Sequence, residues 1–303
     1  MSRRQDMLGD ALSLLTPTLD STRCVACGGR LDMHRHTLRI GSPVTGGDIF
    51  RCTVCGTHQV APRPSAEALA RLYDADYYQR FIASVGIAGG TTDVSPVLRD
   101  RLIEIERRAK KGLLLDVGCG FGFFVKHAVD RGWDAAGLEI SAWAADEGRR
   151  RNNVVIHLAE LADAPFQPES LDVIHSHHVI EHVLDPVSTM AVARRFLRPG
   201  GLLVVEVPQE LRYPLSDRVF RRLHPELYRS APPTITHHLT FFTVGGLRSA
   251  AQKAGFSVER VATVRHFRTD ESRIPLGVVA KRLLYWSEAF LQTAPDIELW
   301  ATR

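Results

Sequence analysis

The stretch Leu113 to Gly122, LLLDVGCGFG, decides the fold. Three leucines form a β-rich apolar run, Asp116 stands near its end, and Gly118, Gly120 and Gly122 follow before a helix opening near Phe123. An apolar strand that breaks into glycines and then a helix lets backbone approach a ligand at the carboxyl edge of an open α/β sheet. A dinucleotide loop, Gly-x-Gly-x-x-Gly, would need its third glycine at position 123, where the chain carries Phe123. The pyrophosphate reading is weakened accordingly.

Outward from this stretch, short apolar runs alternate with helical patterns, as buried parallel strands joined by crossover helices do. The pattern predicts strands at Leu113–Val117, Ala135–Ile140, Val154–Leu158, Leu171–Ser176, Leu202–Val207, Val258–Val264 and Ile297–Ala301. The different spacing of the last two predicts an antiparallel hairpin at one sheet edge. Upstream, Pro96 to Ala109 repeats apolar residues every three or four positions and reads as a helix leading into the first of these strands.

Nearer the N-terminus, CVACGG (Cys24 to Gly29) and CTVCGT (Cys52 to Thr57) give two Cys-x-x-Cys pairs, each followed by glycine. Tetrahedral zinc takes four thiolates at about 2.3 Å, and each pair presents two sulfurs from one tight turn. Cys24, Cys27, Cys52 and Cys55 are the predicted ligands of one structural Zn2+. With every position filled by cysteine, no open site remains for water or substrate, so the metal is expected to contribute folding energy and no chemistry.

The run Asp116-x-Gly118-x-Gly120-x-Gly122 resembles motif I of the class I S-adenosylmethionine-dependent methyltransferases. The resemblance continues through WDAAGLEIS to Glu139, through LAEL (Leu158 to Leu161) and through LRPGG (Leu197 to Gly201). It implies a seven-stranded Rossmann-like α/β sheet with helices on both faces and an antiparallel last strand, here preceded by a small zinc ribbon. It also implies that Asp116, Gly118, Cys119, Gly120, Gly122 and Phe123 form the cofactor loop, with Asp116 at the amino-acid end of S-adenosylmethionine. Glu139, beside Ile140, would hold both ribose hydroxyls, since a carboxylate can accept two hydrogen bonds from a diol. Ala159, Glu160 and Leu161 would meet the adenine, and Ile140 and His177 are further predicted cofactor-binding residues. Cys119, the unpaired fifth cysteine, is read as a residue packed under the loop and not as a nucleophile.

Methyl transfer from a sulfonium needs a base only when the nucleophile is protonated. The fourth predicted strand ends in HSHHVIEHVLDP, which places His177, His178, Glu181 and His182 at the carboxyl edge of the sheet. A zinc ribbon ahead of this fold, followed by a connector with a Tyr-Tyr pair, also resembles the bacterial sugar C-methyltransferases and their shorter relatives. That likeness implies Glu181, His182 and Tyr78 at the substrate; His178 and His238 are further candidate catalytic residues. Sugar C-methyltransferases carry an additional C-terminal domain, whereas the sequence stops at Arg303 just after the seventh predicted strand, so O- or N-methylation is expected over C-methylation.

The predicted organisation is a tail over residues 1–20, a zinc ribbon over 21–62, a helical connector or lid over 63–110, and a methyltransferase domain over 111–303. Within the last, 208–243 is expected to form a substrate-covering insertion. At 303 residues, 45% hydrophobic and 24% charged, the chain can bury a full core, which excludes disorder and collagen as whole-chain answers. No run of 18 uninterrupted apolar residues occurs, and paired cysteines suit a reducing compartment, so a soluble, cytoplasmic protein is expected. The net charge of +4 is too small and dispersed to read as a nucleic-acid surface. The expected activity is methyl transfer to a small-molecule acceptor such as a sugar or natural-product intermediate, by a monomer or homodimer. The competing readings are an RNA methyltransferase whose zinc ribbon holds RNA, and a non-catalytic zinc-stabilised binding protein.

Overall fold

The computed structural model describes residues 22–33, 48–65, 69, 94–209, 222, 238–265, 286–288 and 290–303. Three short strands, β1 (Leu31–Met33), β2 (Asp48–Cys52) and β3 (His58–Ala61), pair antiparallel around the cysteines. Helix α1 (Pro96–Arg108) starts where Ser95 Oγ accepts from the Leu98 N–H and Pro96 presets the first turn. It buries Leu102 and Ile105.

Five parallel strands and three helices follow: β4 (Leu113–Val117), α2 (Phe123–Asp130), β5 (Asp134–Glu139), α3 (Ala142–Asn152), β6 (Val155–Leu158), β7 (Leu171–His177), α4 (Pro186–Phe196) and β8 (Leu197–Pro208). A two-residue strand β9 (Thr240–Phe241), α5 (Val244–Lys253), β10 (Ser257–Val264) and β11 (Asp296–Thr302) complete the order. The large sheet runs β6-β5-β4-β7-β8-β11-β10, the seven-stranded Rossmann-like arrangement expected. The expected hairpin is present with a difference. β11 is inserted between β8 and β10, antiparallel to both, and β10 takes the edge. β8 also starts earlier than predicted, taking in the LRPGG run.

The period-2 alternation of strand side chains divides the core in two. Leu114, Val173, Val204 and Trp300 face α1, α2 and α3. Leu115, Ile174, Val205 and Leu299 face α4, α5 and the cysteine block. Helices thus cover both faces. Among the described residues, no helix is long and apolar enough to cross a membrane.

The smaller sheet runs β1-β2-β3-β9. Its fourth strand comes from the HLTFFT run, with His58 opposite Phe241 and Gln59 opposite Thr240. The small sheet of the cysteine block is therefore joined, through β3, by main-chain hydrogen bonds to a segment that the sequence placed in the insertion.

Candidate functional site

Strand order reverses at β4, so the crevice between the carboxyl ends of β4 and β7 is the topological switch point, where ligands bind in open α/β sheets. Asp116 lies near the end of β4 and Glu139 ends β5; both are buried. The glycine loop is tied across them. Gly118 and Cys119 donate their N–H groups to the Leu138 carbonyl at 2.8 and 2.9 Å, and Gly120 donates to Glu139 Oε2 at 2.9 Å. Glu139 Oε1 accepts from Ile140 and Ser141, each at 2.9 Å. Three N–H groups thus fix the Glu139 carboxylate at the end of β5.

Gly118, at φ +69°, lies where a Cβ would collide with the Val179 side chain, so the loop packs on the turn that carries the histidines. Gly120, at φ +54°, has open space on that side: a Cβ would meet nothing within 4 Å. Nearby, Ile140 and Leu158 are half exposed at the ends of β5 and β6. Ala159 donates its N–H to the Glu139 carbonyl at 3.2 Å, so the loop bearing Ala159, exposed Glu160 and buried Leu161 stands beside Glu139. Phe123 starts α2 and makes an edge contact with Phe121, their ring centroids 6.1 Å apart. Burial pushes the Cys119 thiol well up, consistent with a packed and unreactive side chain.

The histidines form one cluster around two buried carboxylates. Glu181 is 1% exposed, and its Oε1 lies 3.4 Å from His178 Nδ1, 3.7 Å from His182 Nε2 and 3.9 Å from His238 Nε2. The His182 and His238 rings meet edge to face at 4.5 Å. Leu239 and Thr240 both donate N–H groups to the Glu181 carbonyl, which brings His238 to this place. Glu206, fully buried on β8, lies 3.1 Å from His177 Nε2 and pairs with Arg101 of α1.

These surroundings separate the histidines electrically. Burial lowers His177 to about 4, only partly opposed by Glu206. Burial also works against the charged form of His178, but Glu181, Asp296 and Glu206 together raise it to about 9. Glu181 is itself lowered: burial opposes its charge, and His178, His182 and His238 outweigh that. His178 also adopts φ +55°, an unusual backbone conformation for a residue with a side chain.

The structure thus brings Glu181, His182, His178 and His238 together and places His177 at their border. Tyr78 lies outside the described residues, as does most of the 208–243 insertion. Two features escaped sequence reasoning. His175 lies in register with Asp116 across β4 and β7, and Arg101 links α1 to Glu206 and Glu298. The available signals were a histidine inside a strand buried on both faces and an arginine on the apolar side of a helix.

The four cysteines converge away from this cleft. Cys24 and Cys55 sulfurs are 3.7 Å apart, those of Cys27 and Cys52 are 3.4 Å apart, and all four lie within 4.8 Å of one another. A tetrahedron with bonds of about 2.3 Å has edges of about 3.8 Å, so the spacing fits Zn2+. The N–H groups of Gly29 and Val54 point at Cys27 and Cys52 sulfurs at 3.3 and 3.4 Å.

Residues 92–261 match the family model described as a methyltransferase domain. A Mycolicibacterium smegmatis protein named "Probable S-adenosylmethionine-dependent methyltransferase" is 28% identical over 155 residues, covering 50% of this chain and 55% of that protein. The ubiquinone biosynthesis O-methyltransferase of Methylococcus capsulatus is 31% identical over 110 residues, covering 34% and 46% respectively. The chain therefore spans about half the length of these curated relatives. Among solved structures, a SAM-dependent methyltransferase from Archaeoglobus fulgidus superposes with a TM-score of 0.50 at 14% identity, covering 75% of this chain and 100% of that one. That likeness concerns the fold.

Proposed function

Because the chain belongs to the S-adenosylmethionine-dependent methyltransferases, we propose that it methylates an oxygen or nitrogen of a small metabolite in the crevice between Asp116, Glu139 and the histidine cluster. Two buried carboxylates at the ends of neighbouring strands, with Gly120 N–H bridging to one of them, carry this reading. The open side of Gly120 and the exposed faces of Ile140 and Leu158 leave room for a nucleoside.

S-adenosylmethionine, when bound, supplies a methyl group already activated on a sulfonium. Asp116 would accept the ammonium of its amino-acid end, Glu139 the ribose hydroxyls, and the Ala159 to Leu161 loop would border the adenine. The acceptor's proton would go to a ring nitrogen of His182 or His238, with Glu181 stabilising the resulting imidazolium. His178, already holding its proton at neutral pH, is unsuited to be the base and would serve to keep Glu181 ionised and in place. The O-methyltransferase name of a relative favours a hydroxyl acceptor.

The four cysteines would bind one structural Zn2+. The proposed organisation remains a ribbon over 21–62, a connector over 63–110 and a methyltransferase domain over 111–303, with the HLTFFT run shared between ribbon and domain.

Titration calorimetry with S-adenosylmethionine and NAD in parallel tests the central reading. Heat from the sulfonium compound alone is expected; heat from NAD alone overturns it.

A further inference from the structure

The Asp116 side chain has one hydrogen-bond partner among the described residues, and it is another buried side chain. His175 Nδ1 lies 2.7 Å from Asp116 Oδ1, and His175 is fully buried. The two residues are register partners on β4 and β7, at the switch point itself. The imidazole stacks on Phe124, in the first turn of the helix that follows the glycine loop, with ring centroids 4.1 Å apart and planes inclined by 30°. Its other nitrogen, Nε2, is buried with no hydrogen-bond partner among the described residues.

This geometry has a specific chemical result. A 2.7 Å contact to a carboxylate oxygen makes Nδ1–H the donor, which occupies Oδ1 and leaves Oδ2 as the acceptor for a ligand. Without that bond, the short buried carboxylate would be free to change rotamer. A buried nitrogen without a partner is costly, and a fold tolerates it where the other nitrogen's bond has a use. Phe124 fixes the ring plane, so the carboxylate, the imidazole and the start of α2 are set relative to one another.

We propose that His175 is a positioning residue: it aims the Asp116 carboxylate at the ammonium of the cofactor's amino-acid end. The inference rests on the cofactor reading above and deepens it. Asparagine can place its Nδ2 near the position of His175 Nδ1, whereas leucine fills the space without a donor.

The test compares wild type, His175→Leu and His175→Asn by calorimetry with two ligands. S-adenosylhomocysteine carries the amino-acid end; 5′-methylthioadenosine carries the nucleoside without it. His175→Leu should weaken S-adenosylhomocysteine roughly tenfold or more while 5′-methylthioadenosine binds as in wild type, and His175→Asn should recover most of the loss. Unchanged binding of both ligands in His175→Leu, or equal loss of both, overturns the positioning role and leaves the cofactor reading standing. Wild-type protein that binds neither ligand overturns the cofactor reading itself.

Discussion

Thr243 Oγ1 donates a 2.6 Å hydrogen bond to the Cys55 carbonyl, although the two residues are 188 positions apart. The same hydroxyl caps α5 by accepting from the Gly246 N–H at 3.0 Å. Together with the β3–β9 pairing and the bonds from Leu239 and Thr240 to Glu181, it forms an unbroken link from the cysteine cluster to His238. Arg63 reinforces it, donating to the Val183 carbonyl at 3.1 Å and to Thr240 Oγ1 at 2.6 Å.

Metal removal should therefore be felt beyond the cysteines. Metal analysis is expected to find about one zinc per chain. Chelation, or Cys52→Ser, should raise amide hydrogen exchange in Leu239 to Thr243 as well as in β2 and β3, while Gly118 to Phe123 stays protected. Exchange that rises only at the two cysteine turns would show that the link carries no order to the histidines.

His182→Ala and His238→Ala should separate chemistry from binding. Loss of a general base costs roughly 10²- to 10⁴-fold in kcat, and cofactor affinity should stay within about twofold. Whichever variant keeps its turnover is not the base. If both keep it, positioning alone accounts for the rate.

Glu139 has a double assignment, and its variants should differ. Glu139→Gln retains acceptor oxygen but loses the charge, and should weaken S-adenosylmethionine roughly tenfold or more. Glu139→Ala also strips the acceptor from the Gly120, Ile140 and Ser141 N–H groups, so a stability loss of about 1–3 kcal/mol is expected as well. Calorimetry and thermal melts read the two effects apart, and an alanine variant with wild-type Tm would contradict the assignment.

The two adjacent histidines should place opposite slopes on stability against pH. His178 is raised from about 6.5 in the unfolded chain to about 9, so its contribution is complete below pH 6.5 and fades as pH rises towards 9. His177 is lowered to about 4, so its contribution is present above pH 6.5 and is lost as pH falls towards 4. Tm should peak near the ordinary imidazole value. His178→Gln should flatten the alkaline flank and His177→Gln the acid flank; variants that leave both flanks intact would refute this origin.

The local signals in the chain were strong where one physical requirement acts alone. The β-rich runs, the left-handed glycines and the paired cysteines each answer to short-range sterics or ligand geometry, and the strands lie within a few residues of expectation. β9 was not legible because two residues have no periodicity and its partner in β3 is far along the chain. The place of β11 between β8 and β10 is a matter of topology that hydrophobic pattern does not encode. His175 hid in an apolar run because its purpose depends on Asp116 across the sheet, and Arg101 hid because its partners are on strands that arrive much later.

The ribbon's fourth strand makes the two parts unfit for exchange as cassettes. A chimera that grafted Cys24 to Ala61 onto another catalytic body would present β3 with an uncovered edge, inviting chain-to-chain association. Any successful transplant would have to carry the distant His238 to Thr243 hexapeptide with it.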